Sequence, residues 1–357
     1  LSKRKQVTNK LNVLVLGVGG NVSQGILKAL ALSSLDLRVV GACVDPLAMG
    51  LFTVDKAYLS PMAADPSFLD WLLRVCKDEH IHAVLSGVEP VLHVLSENRA
   101  EIKSVSGAEC IVSSPQQLAI ADDKLKTCEW LRDNGLNYPD FAPSEEMSRV
   151  ELLARQCGYP LIAKPRAGKG SQGIIMVRKA GELMQAYDRE NYVVQEYIGT
   201  SMDEYTAGCF CDREGENRGT IIMKRELLMG TTHRAELGDF PEIREECSRI
   251  IRALKPMGPC NLQMRVGKGK VVCFEINLRY SGTTPIRAHF GFNDVEAALR
   301  NYVLGEEIPD LPLVTRGVAI RYWNELYADP DAVDELRHKH ELENPHSYNV
   351  EIEDFGL

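Results

Sequence analysis

The chain is predicted to be an α/β protein, in which a mainly parallel sheet with helices between its strands leads into a unit of more closely spaced strands. Two observations carry this. In the first third, short apolar runs alternate with segments of helical period, which is the rhythm of βαβ units. From residue 159 onward the apolar runs lie closer together and are joined by hairpin-like turns.

Residues 12–16 form an apolar run that ends in glycines, as a strand buried on both faces should read. Residues 23–32 follow, with Ile26, Leu27 and Leu30 at helical spacing. Further strands are expected at 37–44, 82–85 and 110–112. Between them, residues 66–77 place Phe68, Leu69, Leu72, Leu73 and Cys76 on one helical face. The rhythm stops near Ser113-Ser114-Pro115, which sets a first domain at 1–115 and a second at 116–305 that opens on a helix at 124–134. Residues 212–215 and 267–270 read as hairpin turns. Residues 306–357 form a C-terminal extension with Pro309 and Pro312 near its start, a strand at 318–322 and a charged helix at 331–340. It is expected to pack on the second domain.

Composition narrows the partners. The 357 residues are 45% hydrophobic and 25% charged, with a net charge of -9, ordinary for a globular enzyme and adverse to a nucleic-acid partner. No apolar stretch approaches a membrane span, and no secretory signal is visible. The ten cysteines have neither a disulfide framework nor zinc-ligand spacing. A cytoplasmic protein acting on small molecules, without a membrane partner, is the expectation.

Gly17-Val18-Gly19-Gly20-Asn21-Val22-Ser23-Gln24-Gly25 joins the first strand to the first helix, where backbone amides can meet an anion. Asp45, at the end of the next strand, stands where a dinucleotide fold places its ribose-reading acid. By itself this would suggest an NAD-dependent oxidoreductase, although Val22 replaces the third glycine of that fingerprint. A tight turn without a nucleotide, or contact with another substrate, fits as well.

The central region is more specific. The apolar strand 160–165 contains Lys164 and runs into Arg166-Ala167-Gly168-Lys169-Gly170-Ser171-Gln172-Gly173, a glycine-rich loop beside a fixed ammonium that suits a polyphosphate. Gln195-Glu196-Tyr197-Ile198 ends another strand. In Phe274-Glu275-Ile276-Asn277-Leu278-Arg279, strand alternation puts Glu275, Asn277 and Arg279 on one face and Phe274, Ile276 and Leu278 on the other. Glu275 and Asn277 offer oxygen ligands of the kind Mg²⁺ uses with phosphates, and Gln263 on the preceding strand adds a third.

Lys124, the Lys164 strand with its glycine loop, the hinge at 195–198, Glu204 and Glu275-Ile276-Asn277 occur in the order of the ATP-grasp superfamily, which the chain resembles over about residues 11–305. The upstream sheet is similar to a pre-ATP-grasp domain. The pairing of Asn261-Leu262-Gln263 with 275–277, and Lys224-Arg225-Glu226 with Gly230-Thr231-Thr232, resemble a single half of the carbamoyl-phosphate synthase large chain and related carboxylate–amine ligases.

The resemblance implies two α+β lobes with ATP between them, a small one at about 125–200 and a large one at about 201–305. It implies that Lys124 and Lys164 contact ATP phosphates, and that Gly168, Gly170, Ser171 and Gly173 belong to the lid over them. Gln195, Glu196, Tyr197 and Ile198 would receive the adenine, and Glu204 the ribose hydroxyls. Gln263, Glu275 and Asn277 would hold Mg²⁺, with Mn²⁺ as a substitute, while Arg279 faces the transferring phosphoryl group with Lys164 and Asn277 beside it. The expected reaction activates a carboxylate as an acyl phosphate that an amine then captures, releasing ADP and phosphate. A carbamate or carboxylate kinase of the carbamoyl-phosphate synthase type is the alternative within the resemblance, and a homodimer through the first domain is a further implication.

Overall fold

The run Leu11–Leu16 (β1) is apolar because it lies in the interior of a six-stranded sheet. β2 (Leu37–Cys43) and then β3 (Lys56–Leu59) lie to one side of β1, and β4 (Ala83–Ser86) and β5 (Glu109–Cys110) to the other, all parallel. The order 3-2-1-4-5 reverses direction at β1, which opens a crevice beyond its C-terminal end. The computed structural model describes residues 10–168, 172–187, 189–200 and 202–352.

Helix α1 (Asn21–Ala31) buries Ile26, Ala29 and Leu30, and α2 (Phe68–Asp78) buries Phe68, Trp71, Leu72, Val75 and Cys76, the faces their spacing predicts. Two further helices, α3 (Glu89–Glu97) and α4 (Arg99–Ser106), cross between β4 and β5. At the expected boundary Ser114 caps α5 (Pro115–Ala121) through a reciprocal capping box with Gln117. Asp123 caps α6 (Lys124–Asp133) by accepting from the Leu125 and Lys126 amides.

A second, antiparallel sheet contains β6 (Phe141–Pro143), β7 (Leu161–Pro165), β8 (Ile175–Val177) and β9 (Tyr192–Glu196) in the order 6-9-7-8. Helix α7 (Met147–Cys157) backs it, and Val150, Leu153, Leu161, Ala163 and Val194 form a core of its own. A third sheet holds β10 (Glu204–Cys211), β11 (Asn217–Leu228), β12 (Thr231–Leu237), β13 (Gly258–Gly267), β14 (Lys270–Asn277) and β15 (Gly317–Ile320), all antiparallel in the order 14-13-10-11-12-15. Its apolar face joins the first sheet in one core that runs from Leu14 and Trp71 to Ile222 and Leu262. Both central residues of the 267–270 turn have positive φ, Lys268 at 51° and Gly269 at 72°, the backbone that a two-residue hairpin on twisted strands requires.

The C-terminal extension contacts two sheets. Its strand β15 pairs with β12, but β16 (Leu326–Tyr327), β17 (Glu341–Glu343) and β18 (Glu351–Ile352) go elsewhere: β16 pairs with β18, and β17 adds antiparallel to β3. The segment therefore bridges the third sheet and the first, where β17 covers an edge that would otherwise be bare. Buried Leu336 and Leu342 carry the packing. No helix among the described residues is long and apolar enough to cross a membrane. All ten cysteines are free, nine of them buried.

One close approach fixes the loop after β14. Arg287, fully buried, pairs with Asp294 at 2.6 Å and holds Ser281 and Thr284 by hydrogen bonds of 3.1 and 2.9 Å. It fits only because Gly208 lies beneath it, where an added Cβ would come within 2.4 Å of Nη1. Gly208→Ala is expected to cost about 3 kcal/mol or more, because it overpacks the core and displaces a buried charge from its partner. A urea titration that shows an unchanged midpoint would contradict this.

Candidate active site

Lys164 lies in β7 opposite Val193, with its side chain sealed between the second and third sheets. Its ammonium donates to the Phe274 carbonyl at 3.4 Å and lies 5.2 Å from the Phe274 ring centre. The carbonyl is free because β14 bulges there: Gln263 pairs with Glu275 and Met264 with Cys273, which leaves Phe274 unpaired. The bulge also corrects the expected alternation, since it brings Phe274 and Glu275 to the same cavity. Burial pushes the Lys164 ammonium down to about 8, against the opposing pull of the Glu275 charge.

Lys124 is placed by the start of α6. Asp123 holds Arg166 at 2.6 Å while capping the helix, the Lys124 amide donates to the Arg166 carbonyl at 2.9 Å, and Lys124 Nζ donates to the Gly168 carbonyl at 2.9 Å. Lys124, Lys164 and Gly168 thus meet on one wall of a cavity of about 190 Å³ between the second and third sheets. Gly170 and Ser171 lie outside the described residues. Gly173 has φ 71° and stands against Pro165 and Tyr192, where only glycine fits.

The cavity is also lined by the apolar Ile162, Ile174, Leu227, Val272 and Phe274, and by Gln195, Glu196, Tyr197 and Ile198 at the end of β9. Gln195 is turned inward and donates to Cys128 Sγ at 2.8 Å. The Glu196 carboxylate is held by Lys268 at 2.5 Å, and the Tyr197 ring stacks 4.5 Å under the Arg265 guanidinium. Glu204 lines the same cavity, but both of its oxygens are already taken: Arg225 lies 2.7 Å from Oε1 and Arg265 2.6 Å from Oε2. Burial opposes the Glu204 charge, yet the two arginines hold its carboxyl below the ordinary range.

Gln263, Glu275 and Asn277 are brought together as their pattern predicts. The Glu275 carboxylate accepts from Gln263 at 3.2 Å and from Asn277 at 3.0 Å. One carboxylate and two amide oxygens are hard ligands for a divalent cation that keeps part of its coordination for phosphate and water, so this set fits Mg²⁺. Arg279 lies past the end of β14, 2.7 Å from Glu89 on α3.

Arg279, Asn277, Glu275 and Gln263 line a second cavity of about 420 Å³, which the first meets along Gln172, Arg225, Gly230, Gln263 and Glu275. Its far wall is the turn Gly20-Asn21-Val22-Ser23, facing Ser281-Gly282-Thr283. The early glycine turn therefore faces this second space. Asp45, the expected ribose reader of a dinucleotide fold, lines neither cavity and closes a turn by accepting from the Leu47 amide at 2.9 Å.

The residues that sequence reasoning passed over are Arg265 and Glu89. Arg265 continues the alternation of Asn261 and Gln263 on β13 and was within reach of a period-2 reading. Glu89 comes from another domain with no local signal.

Known proteins share this fold. Residues 188–326 match the family described as ATP-grasp in the biosynthetic pathway with Ter operon, and residues 13–111 match the PylC-like N-terminal domain. The chain thus resembles the ATP-grasp superfamily, with the family match confined to its second half. It is similar to the carbamoyl phosphate synthase large chains of Thermotoga neapolitana, 22% identical over 85% of this chain and 29% of the relative, and of Neisseria meningitidis serogroup B, 27% over 78% and 28%. The chain spans less than a third of the length of these relatives. Among solved structures, N5-carboxyaminoimidazole synthetase from Staphylococcus aureus complexed with ADP superposes with TM-score 0.70 at 15% identity, covering 93% of this chain and 87% of that one. The biotin carboxylase domain of the Hydrogenobacter thermophilus 2-oxoglutarate carboxylase, with MgADP, ADP and bicarbonate, superposes with TM-score 0.67 at 18%, covering 90% and 76%. The fold is that of the ATP-grasp ligases.

Proposed function

We propose that the protein is an ATP-dependent ligase that activates a small carboxylate as an acyl phosphate and passes it to an amine. The observation that carries this is the pair of cavities joined along Gln263, Glu275 and Arg225. One combines apolar side chains that suit a base with the cations Lys124 and Lys164 that suit phosphates, and the other opens toward the glycine turn. Lys124 and Lys164 bind the polyphosphate, and the end of β9 receives the adenine.

Gln263, Glu275 and Asn277 hold Mg²⁺, with Mn²⁺ fitting the same oxygen set, and the cation supplies charge neutralisation and alignment of phosphate oxygens when bound. Arg279 faces the transferring phosphoryl group from the second cavity, with Lys164 and Asn277 beside it to keep the phosphoryl acceptor and donor in line. Closing the joined cavities excludes water, which would hydrolyse the mixed anhydride. Small-molecule substrates, a cytoplasmic location and a homodimer belong to the same reading.

Calorimetric titration tests it first. Mg·ATP is expected to bind in the micromolar range and NADH not at all; the reverse would return the glycine turn to a dinucleotide role. Screening acids by ADP release, with and without amines, then separates a ligase from a kinase. An amide among the products supports the ligase, whereas free acyl phosphate in the presence of amine would replace it with the kinase.

A further inference from the structure

Arg225, Glu204 and Arg265 lie abreast on β11, β10 and β13, with Glu204 and Arg265 directly paired. Each arginine approaches the carboxylate through two nitrogens. Arg225 reaches Oε1 at 2.7 and 3.1 Å, and Arg265 reaches Oε2 at 2.6 and 3.2 Å. The side chains of Arg225 and Glu204 are 8% exposed and that of Arg265 16%. Two guanidiniums on one carboxylate leave a surplus positive charge in a nearly dry place, an arrangement that favours an arriving anion.

The two cations are not equivalent. Arg265 stacks on Tyr197 and lines only the first cavity. Arg225 donates to Gln263 Oε1 at 2.9 Å and belongs to the wall that both cavities share.

We infer that Arg225 binds the oxyanion that passes between the two cavities, first the γ-phosphoryl group of ATP and then the acyl phosphate, and that Glu204 is the positioning residue that aims Arg225 rather than a ligand of the ribose. This rests on the reading of the joined cavities as an ATP-dependent, acid-activating site. In the step served, a carboxylate oxygen of the acid forms a bond to the γ-phosphorus, the bond from that phosphorus to the β–γ bridging oxygen breaks, and its electron pair leaves with ADP. No proton moves. Two anions must converge, and a cation fixed beside both reduces their repulsion throughout. Glu204 fixes it because a clasped guanidinium cannot swing toward bulk water.

Nucleotide binding tests this without knowledge of the acid. Titrations of Mg·ATP, Mg·ADP and Mg·2′,3′-dideoxy-ATP are compared for the wild type, Arg225→Gln, Arg225→Lys and Glu204→Gln, each checked for folding by circular dichroism. The wild type is expected to prefer ATP to ADP, and Arg225→Gln to lose about tenfold of that preference with ADP affinity nearly unchanged, the weight of one charge-assisted contact. Arg225→Lys is expected to recover part of it. Glu204→Gln is expected to weaken the ATP preference in the same sense while leaving the ratio of ATP to dideoxy-ATP affinity at its wild-type value. An ATP preference that is missing in the wild type or intact in Arg225→Gln overturns the inference. So does a Glu204→Gln protein that loses discrimination against dideoxy-ATP alone, since Glu204 would then read the ribose. A wild type that binds no nucleotide would instead sink the proposed function itself.

Discussion

Lys164→Met is expected to weaken Mg·ATP binding by about 100-fold at pH 7, the weight of a buried, charge-assisted phosphate contact of roughly 2.5–3 kcal/mol. Among the described residues its hydrogen bond is the 3.4 Å contact with the Phe274 carbonyl, and burial of the ammonium outweighs the support of the Glu275 charge. Its pKa of about 8, against an ordinary value of 10.5, fixes the sign of two further effects. In the free protein the charged form is disfavoured, a cost to stability present in full below about pH 8 and lost as the pH rises toward the unfolded value. Lys164→Met should therefore unfold at the same temperature as the wild type, or higher, at pH 7 while losing ATP. A polyphosphate, conversely, favours the ammonium and lifts its pKa, so Mg·ATP binding should take up close to one proton at pH 9 and almost none at pH 7. Calorimetry in buffers of differing ionisation enthalpy reads this directly. Of the charges that act on Lys164, Glu275 raises its pKa and Lys124 and Arg265 lower it. Proton release on binding at pH 9, or affinity independent of pH between 7 and 9.5, would remove Lys164 from the phosphate site.

What could be read from the sequence follows from how local each signal is. β1 and α1 were visible because full burial and helical period write themselves into consecutive residues, and Lys164 with its glycine loop was visible because strand, cation and turn are contiguous. Gln263, Glu275 and Asn277 could be grouped because a hairpin turn fixes register across two strands. The Phe274 bulge could not be read, since a skipped pairing depends on the partner strand. The same holds for Glu204, whose role was assigned from order along the chain. Arg225 and Arg265 lie 21 and 61 residues away from it, and only the antiparallel order 13-10-11 makes them neighbours. Glu89 reaches Arg279 across 190 residues because the first and third sheets share a core. The reach of the extension 306–357 to the first sheet could not be read, because its strands are two to four residues long, too short for a period to say which sheet they join.

Glu275→Gln is expected to abolish ADP release in the presence of any acid substrate, a loss of about 1,000-fold or more, because one group serves two ends of the same charge balance. It is the sole carboxylate in the proposed cation set, and its charge is the main influence opposing the desolvation of Lys164. The glutamine keeps shape and hydrogen bonding but removes the charge. Mg²⁺ should then bind more weakly, and the Lys164 pKa should fall below about 8, leaving part of the lysine neutral at pH 7. The two effects can be told apart. Excess Mg²⁺ should restore cation occupancy, followed by competition with Mn²⁺ in electron paramagnetic resonance, but it should not restore the lysine. ATP affinity of the variant should therefore go on improving as the pH is lowered from 7 to 6, where the wild type, its Lys164 already protonated below a pKa of about 8, changes little, because protonation of Lys164 returns what Glu275 no longer supports. Glu275→Asp, which keeps the charge on a shorter stem, should retain the wild-type pH profile while losing rate through misplaced ligands. Full turnover by Glu275→Gln would show that neither the cation nor the lysine depends on it, and the wall common to the two cavities would need another source of negative charge.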